Sequence, residues 1–123
     1  MRLRVTSKEK ESGVFILSTE GSLDTNTYSI LEKRVDSILG GSPRVIIFDM
    51  ENLNYISSMG VRVILKARKA LERYGGNLIL LNLRPQIKKV FDIINALPSE
   101  QVFASVEEMD RYLDRMQRKT MED

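Results

Sequence analysis

The chain has 123 residues, of which 42% are hydrophobic and 29% are charged, as expected for one ordinary globular domain. It contains no cysteine and no histidine, which excludes disulfides, thiolate metal sites and histidine-based acid/base catalysis and argues against an enzyme. The formal net charge of +2 comes from 19 basic and 17 acidic residues mixed along the chain, and no apolar run could span a bilayer or act as a signal peptide, so we expect a cytoplasmic protein without direct membrane insertion.

The chain begins with a predicted β-hairpin. Leu3–Thr6 and Gly13–Thr19 are short and apolar-rich, and the polar stretch Lys8–Ser12 between them has the composition of a turn. Gly21 is predicted to close the second strand.

A first amphipathic helix is predicted after the hairpin. Asp24, Thr25 and Asn26 offer side chains that can accept hydrogen bonds at its N-terminus. Its apolar positions recur at helical spacing until two glycines stop the pattern. These apolar residues are Tyr28, Leu31, Val35, Ile38 and Leu39.

The middle of the chain predicts a buried strand, a loop and a second helix. Val45–Phe48 is a continuous apolar run, typical of a strand covered on both faces, and we place its end at Asp49. The stretch Met50–Ile56 is predicted to be a loop. A helix is predicted from about Ser58 to Tyr74, because apolar residues recur on one stripe until two glycines follow.

The last third of the chain predicts another strand and a third helix. Leu78–Leu81 has the apolar composition of a buried strand. Pro85 is well placed as the first residue of the helix, which is predicted to end at Pro98. Val102–Ala104 is compatible with a short edge strand.

A fourth helix completes the predicted architecture. Ser105 and Glu108 have the spacing of a capping box at its start, and residues 118–123 are expected to fray. Alternating strands and helices after an initial hairpin predict an α/β fold. We therefore expect a single compact domain over residues 1–123, with a mixed β-sheet of four to five strands and four helices.

Two adjacent serines, Ser57 and Ser58, stand where the second helix is predicted to begin. Unpaired backbone N–H groups and the helix dipole favour an anion such as a phosphate there, so a regulated serine is the first hypothesis. Asp49 precedes this helix and Asp24 follows the hairpin, and ligands of such folds usually meet the carboxyl ends of the strands. We therefore expect these residues to lie at one edge of the sheet.

Simpler interpretations of the same residues remain open. Both serines could be helix N-caps, a role that serine fills routinely. Gly60 stands alone, so there is no glycine-rich phosphate loop, and the sequence indicates no metal site and no cofactor. A basic cluster on the second helix is better explained by a solvated face than by nucleic-acid binding. Its members are Lys66, Arg68, Lys69 and Arg73.

The segment Phe48–Leu65, together with Leu23 and Asp24, resembles the STAS domain, a module shared by bacterial anti-sigma factor antagonists and sulfate transporter tails. The resemblance covers nearly the whole chain, from the opening hairpin to the later helices. Its most specific residues are Asp49, Tyr55, Ile56, Ser57, Ser58, Gly60, Val61 and Arg62.

The resemblance implies a STAS-like fold and a partner-switching function that regulates transcription. In such a protein the unphosphorylated form binds an anti-sigma factor of the serine-kinase type, phosphorylation by that kinase ends the binding, and a serine phosphatase restores it. Counting back from Gly60 through Met59 places the family's acceptor at Ser58, with Ser57 as the second choice. The best-known motif has an aspartate at the place of Ser57 and a small polar residue at the place of Met59.

The leading hypothesis is therefore a non-enzymatic anti-sigma factor antagonist, with phosphorylation at Ser58. Partner binding is assigned to Asp24, Asp49, Ser57, Ser58 and Met59. The altered neighbours of the acceptor leave open whether a kinase still recognises this loop. The alternative is a constitutive, non-phosphorylated STAS scaffold or a transporter-associated subunit.

Overall fold

Four strands and four helices make up the computed structural model, which describes residues 2–96 and 106–122. The strands are β1 (Arg4–Glu11), β2 (Val14–Leu23), β3 (Val45–Ile56) and β4 (Asn77–Leu81). The helices are α1 (Tyr28–Leu39), α2 (Ser58–Glu72), α3 (Pro85–Ala96) and α4 (Val106–Glu122). The sheet order is β1-β2-β3-β4, with β1 and β2 antiparallel and the other neighbouring pairs parallel. The predicted α/β class with a mixed sheet is confirmed.

Both strands of the hairpin are longer than predicted, and β2 does not end at Gly21. The strand continues to Leu23, and its pairing with β3 shifts register between Gly21 and Ser22. Gly21 has a φ of +109°, and a Cβ built there would lie 2.1 Å from the carbonyl oxygen of Arg2. The residue is therefore a glycine because the strand bulges against the chain start, and the prediction that it closes β2 is wrong.

The stretch after Asp49 is also strand and not loop, which corrects a second prediction. β3 runs through to Ile56 and pairs with the continuation of β2, with Leu23 in register with Ile56. Met50, Leu53 and Ile56 are fully buried, while the residues between them are not. Two irregularities in the β2–β3 register interrupt the two-residue alternation, and this hides the strand from a pattern-based prediction.

The strand β4 forms an edge of the sheet and is less buried than predicted. Ile79 is 44% exposed and Leu81 is 42% exposed, so alternate side chains of β4 face solvent. The predicted buried strand at Leu78–Leu81 is therefore correct in position but wrong in its burial. The sequence pattern does not distinguish these cases, because a short apolar run suits both central and edge strands.

All four helices contribute to one hydrophobic core with the sheet. α1 packs on α2, α2 and α3 pack on β3, and α4 packs on α3 and α2. The largest fully buried side chains are Leu17, Leu23, Leu31, Ile46, Phe48, Met50, Leu53, Ile56, Ile64, Leu71, Ile87 and Leu113. Leu113 belongs to α4, so the last helix is anchored in the same core as the sheet.

The predicted helices are confirmed, with differences at their ends. The N-cap position of α1 is Thr27, one residue after the predicted candidates Asp24–Asn26, and its side chain makes no capping hydrogen bond. α4 continues to Glu122, while the fraying of residues 118–123 and the domain extent 1–123 stay predictions. The predictions for Pro98, Val102–Ala104 and Ser105 fall outside the described residues.

Candidate functional site

The two serines at the start of α2 have different structural roles. The Ser57 N–H donates to the Leu23 carbonyl oxygen at 2.9 Å, which continues the pairing of β2 with β3. Ser57 is the N-cap residue, and its Oγ accepts from the Gly60 N–H at 3.4 Å. Ser58 is the first residue of the helix. The capping interpretation is therefore confirmed for Ser57, and Ser58 needs another explanation.

The Ser58 hydroxyl is buried without a hydrogen-bond partner. The residue is 8% exposed, and among the described residues only Thr19 has a similarly orphaned side-chain oxygen. A buried polar group without a partner costs about 1–3 kcal/mol, so the hydroxyl at this position destabilises the fold. An unpaired serine hydroxyl at a helix start is a candidate for modification by another protein, such as phosphorylation, and not for capping.

Gly60 holds the start of α2 close to the ends of β2 and β3. A Cβ built at Gly60 would lie 2.7 Å from Leu23 Cγ and 2.9 Å from Ile56 Cγ1, both shorter than real contacts of this kind. The absence of a side chain therefore lets the helix approach the strands and sets the position of Ser58.

Helix α4 covers this junction with three polar side chains on one stripe, Asp110, Asp114 and Gln117. The Ser58 N–H donates to Asp110 Oδ1 at 2.8 Å. Gln117, which is fully buried, accepts from the Ile56 N–H at 2.9 Å and donates through Nε2 to the Ile56 carbonyl oxygen at 2.7 Å. Asp110 and Gln117 are separated by two helical turns, so both side chains lie on the same face of α4. Both side chains thereby pair backbone groups at the end of β3 and the start of α2.

Tyr55 lies among carboxylates at the same place. Burial, as the largest cause, and the charges of Asp114 and Asp110 together raise the pKa of its phenol to about 12. The Tyr55 hydroxyl also hydrogen-bonds to Asp114, and Asp24 adds a smaller contribution of the same sign to the pKa. Three acidic side chains therefore lie near Tyr55, three positions before Ser58, and their charges disfavour additional negative charge there.

Asp24 lies at the carboxyl end of β2, next to the start of α2, as predicted. Its backbone N–H donates to Thr27 Oγ1 at 2.9 Å, and its Oδ1 accepts from the Asn26 N–H at 2.9 Å. The half-buried side chain organises the turn before α1. The Leu23 carbonyl accepts a hydrogen bond from the Ser57 N–H, and Asp24 directly follows Leu23. Asp24 and the two serines therefore share one edge of the sheet.

Asp49 does not lie at this edge, and the prediction that it does is wrong. It sits inside β3, where its Oδ1 accepts from the Glu51 N–H at 3.1 Å and from Asn82 Nδ2 at 3.3 Å. It precedes Ile56 by seven positions along the strand, a distance of about 20 Å. The extension of β3 beyond Asp49 causes this separation.

Met59 is half-buried, and it is not among the partly buried side chains that pack on the described core. Its side chain is partly accessible, and the predicted contact of this flexible apolar residue with a partner stays a prediction.

The contribution of α4 to the site was not predicted from the sequence. Asp110, Asp114 and Gln117 are spaced as residues on one helix face, which is a visible signal. That signal does not say which surface the face meets, because the contacts join residues that are 52 and 61 positions apart.

Comparisons with known proteins agree with this architecture. Residues 6–109 match the STAS domain family. BtrV of Bordetella bronchiseptica, provisionally named an anti-sigma factor antagonist, is 32% identical over 85 residues, which cover 69% of this chain and 73% of BtrV. The anti-sigma F factor antagonist of Lysinibacillus sphaericus is 33% identical over 72 residues, covering 58% of this chain and 62% of that protein.

A solved protein with a similar fold is the anti-sigma factor antagonist SpoIIAA. Its unphosphorylated form has a TM-score of 0.69 and 24% identity, covering 89% of this chain and 96% of that chain. The phosphorylated form of SpoIIAA, a Bacillus cell fate determinant, has a TM-score of 0.65 and 26% identity, covering 91% and 98%. Within the described part of this chain, no helix has the length and apolar character needed to cross a membrane.

Proposed function

Because the chain belongs to the STAS domain family, we propose that it is a non-enzymatic anti-sigma factor antagonist that regulates transcription by switching partners. Relatives with this name support the proposal, and one of them is known in phosphorylated and unphosphorylated forms. We place the protein in the cytoplasm, where the transcription machinery acts, as one domain over residues 1–123. Its partners are an anti-sigma factor of the serine-kinase type and a serine phosphatase.

The observation that carries the proposal is the unpaired hydroxyl of Ser58 at the start of α2. Ser57 already caps the helix, so Ser58 is not required for that purpose. A phosphate on Ser58 would add about −1.5 to −2 charges next to the carboxylate of Asp110. The charge of the edge would change strongly while the strands below stay in place, which suits a switch in partner binding.

The docking edge in this proposal consists of Asp24, Ser57, Ser58 and Met59. Asp24 and Ser57 are held by backbone hydrogen bonds, so the edge has a defined shape. Met59 is partly accessible and supplies a flexible apolar contact. Asp49 is left out of this edge because it lies about 20 Å away along β3.

One observation favours a second function, a constitutive scaffold or transporter-associated subunit without a phosphate cycle. The Ser58 oxygen is buried, and a kinase must reach that oxygen to transfer a phosphoryl group. Ser57 and Met59 also differ from the residues of the best-known motif. This function predicts no phosphorylation by any kinase and a stable complex with a larger assembly.

Phosphorylation and site mapping distinguish the two functions. The full chain is incubated with the cognate anti-sigma kinase and ATP, and intact mass and peptide mapping follow the phosphate. We expect one phosphate on the unmodified chain and none on Ser58→Ala. Ser29→Ala, at an exposed serine near the start of α1, is the matched control and should react like the unmodified chain. Phosphate incorporation into Ser58→Ala at an unchanged rate would refute the acceptor assignment.

A further inference from the structure

Helix α4 occupies the edge that the proposed function assigns to partners. Its polar stripe contacts the segment Tyr55–Ser58 through Asp110, Asp114 and Gln117. We propose that α4 is an internal cover that competes with external partners for this edge and shields Ser58 until it is displaced. The biological role of the cover rests on the proposed function, whereas its physical existence can be tested without a partner.

The contacts between α4 and the edge are of a kind that another protein could replace. On the edge, the groups that bond to Asp110 and Gln117 are the Ser58 N–H and the N–H and carbonyl of Ile56. Backbone N–H and carbonyl groups can hydrogen-bond to any side chain of suitable geometry, so these contacts do not require the sequence of α4. α4 meets them with one carboxylate and one amide, two helical turns apart.

This complementarity defines the chemistry of the competing partner. Such a partner must present an acidic side chain opposite the Ser58 N–H and a group that both accepts and donates opposite Ile56. The positive end of the α2 dipole strengthens the preference for a carboxylate at the first of these positions. A basic segment would instead leave the Ser58 N–H without an acceptor.

Phosphorylation of Ser58 would weaken both the contacts of α4 with this edge and the binding of an acidic partner. The new charge would stand beside Asp110, and Asp114 follows one turn further along the same stripe of α4. Repulsion would loosen the polar stripe of α4, and it would equally repel an acidic partner. The phosphorylated edge would therefore be uncovered and yet unable to bind that partner.

Leu113 limits how α4 can move. It is fully buried in the core between the polar contacts, and the helix also packs on α3. Displacement of the stripe is therefore expected as a local opening of α4 and not as free detachment.

Amide hydrogen exchange of the full chain tests the cover without a kinase. In Asp110→Ala, we expect the Ser58 amide to exchange about tenfold faster or more, because a hydrogen bond to a charged group is lost. Glu107→Ala is the matched control, since it removes an exposed acidic residue of the same helix. Equal exchange at Ser58 in the two variants would overturn the cover.

A second pair of variants tests the response to charge at Ser58. Ser58→Glu should speed exchange across α4, and Ser29→Glu, which adds the same charge at an exposed site near the start of α1, should not. If Ser58→Glu fails to fold, the Asp110→Ala result decides by itself. If α4 keeps the protection of the unmodified chain in a folded Ser58→Glu, the electrostatic part of the proposal is wrong.

The role in partner selection is tested by the phosphorylation rate. With the cognate kinase, Asp110→Ala should react faster than the unmodified chain and Glu107→Ala should not. If the Ser58 amide of Asp110→Ala exchanges faster but no form of the chain is phosphorylated, the cover proposal stands and the kinase-controlled function is refuted. If that amide exchanges as slowly as in the unmodified chain while phosphorylation is normal, the cover proposal is refuted and the kinase-controlled function stands.

Discussion

The contact of Gly60 with the strand ends allows a quantitative prediction for Gly60→Ala. The added Cβ would lie 2.7 Å from Leu23 Cγ and 2.9 Å from Ile56 Cγ1, so at least one of these buried side chains or the helix must shift. Overpacking costs about 1–3 kcal/mol, and two contacts below 3.0 Å place this substitution in the upper part of that range, at about 2–3 kcal/mol. Alanine recovers up to about 1 kcal/mol through its higher helix propensity. We expect the free energy of unfolding to fall by about 1–2 kcal/mol.

Urea denaturation and thermal unfolding measure this effect. For a chain of this size the predicted loss corresponds to a decrease in Tm of about 4–8 °C. Gly40→Ala is the matched control, because Gly40 has a helical φ of −58° and a Cβ there would meet its nearest neighbour at an ordinary 3.4 Å. The control should be neutral or slightly stabilising.

The result also bears on the site. A shift of the start of α2 would move Ser58 away from Asp110, so the Ser58 amide of Gly60→Ala should exchange faster than that of Gly40→Ala. A Gly60→Ala variant as stable as the unmodified chain would refute the argument that close packing of α2 on β2 and β3 requires glycine.

Three further predictions concern Ser57, Gln117 and Tyr55. Ser57→Ala removes the N-cap, whose 3.4 Å bond is long, so we expect a loss of about 0.5–1 kcal/mol in urea denaturation. Gln117→Ala leaves both backbone groups of Ile56 unpaired in the interior, so its loss should be larger, about 2–4 kcal/mol. Tyr55 should ionise near pH 12 in an absorbance titration, and Asp114→Asn should lower its pKa only in part, because burial is the larger cause. Since the folded-state pKa of Tyr55 is raised, its contribution to stability is complete below about pH 10 and is lost as the pH rises towards 12.

Each of these predictions has a result that would contradict it. An equal loss of stability in Ser57→Ala and Gln117→Ala would show that the paired backbone of Ile56 is unimportant. Arg118→Ala provides a control for the helix surface, because its ion pair with Asp114 is exposed and should contribute less than about 1 kcal/mol. A Tyr55 phenol that titrates near pH 10 would show that α4 does not lie against it.

Local patterns in the sequence determined the helices and much of the sheet. The spacing of Leu31, Val35 and Ile38 specifies α1, because residues three and four apart lie on one face of a helix. The position of Ser58 at the start of α2 was equally predictable from the sequence, since serine, glycine and apolar residues mark the start of that helix within a few positions. These features depend on neighbours in the chain, so a pattern suffices to find them.

Only the tertiary structure decided which of the candidate residues meet. Asp49 was separated from Ser58 because β2 runs on to Leu23 past a bulge and pairs with β3 as far as Ile56. Asp110 was joined to Ser58 because Leu113 anchors α4 in the shared core and turns its polar stripe onto the start of α2. Both outcomes rest on pairings between distant segments, whose free energy comes from surfaces buried together and not from any local pattern of residues.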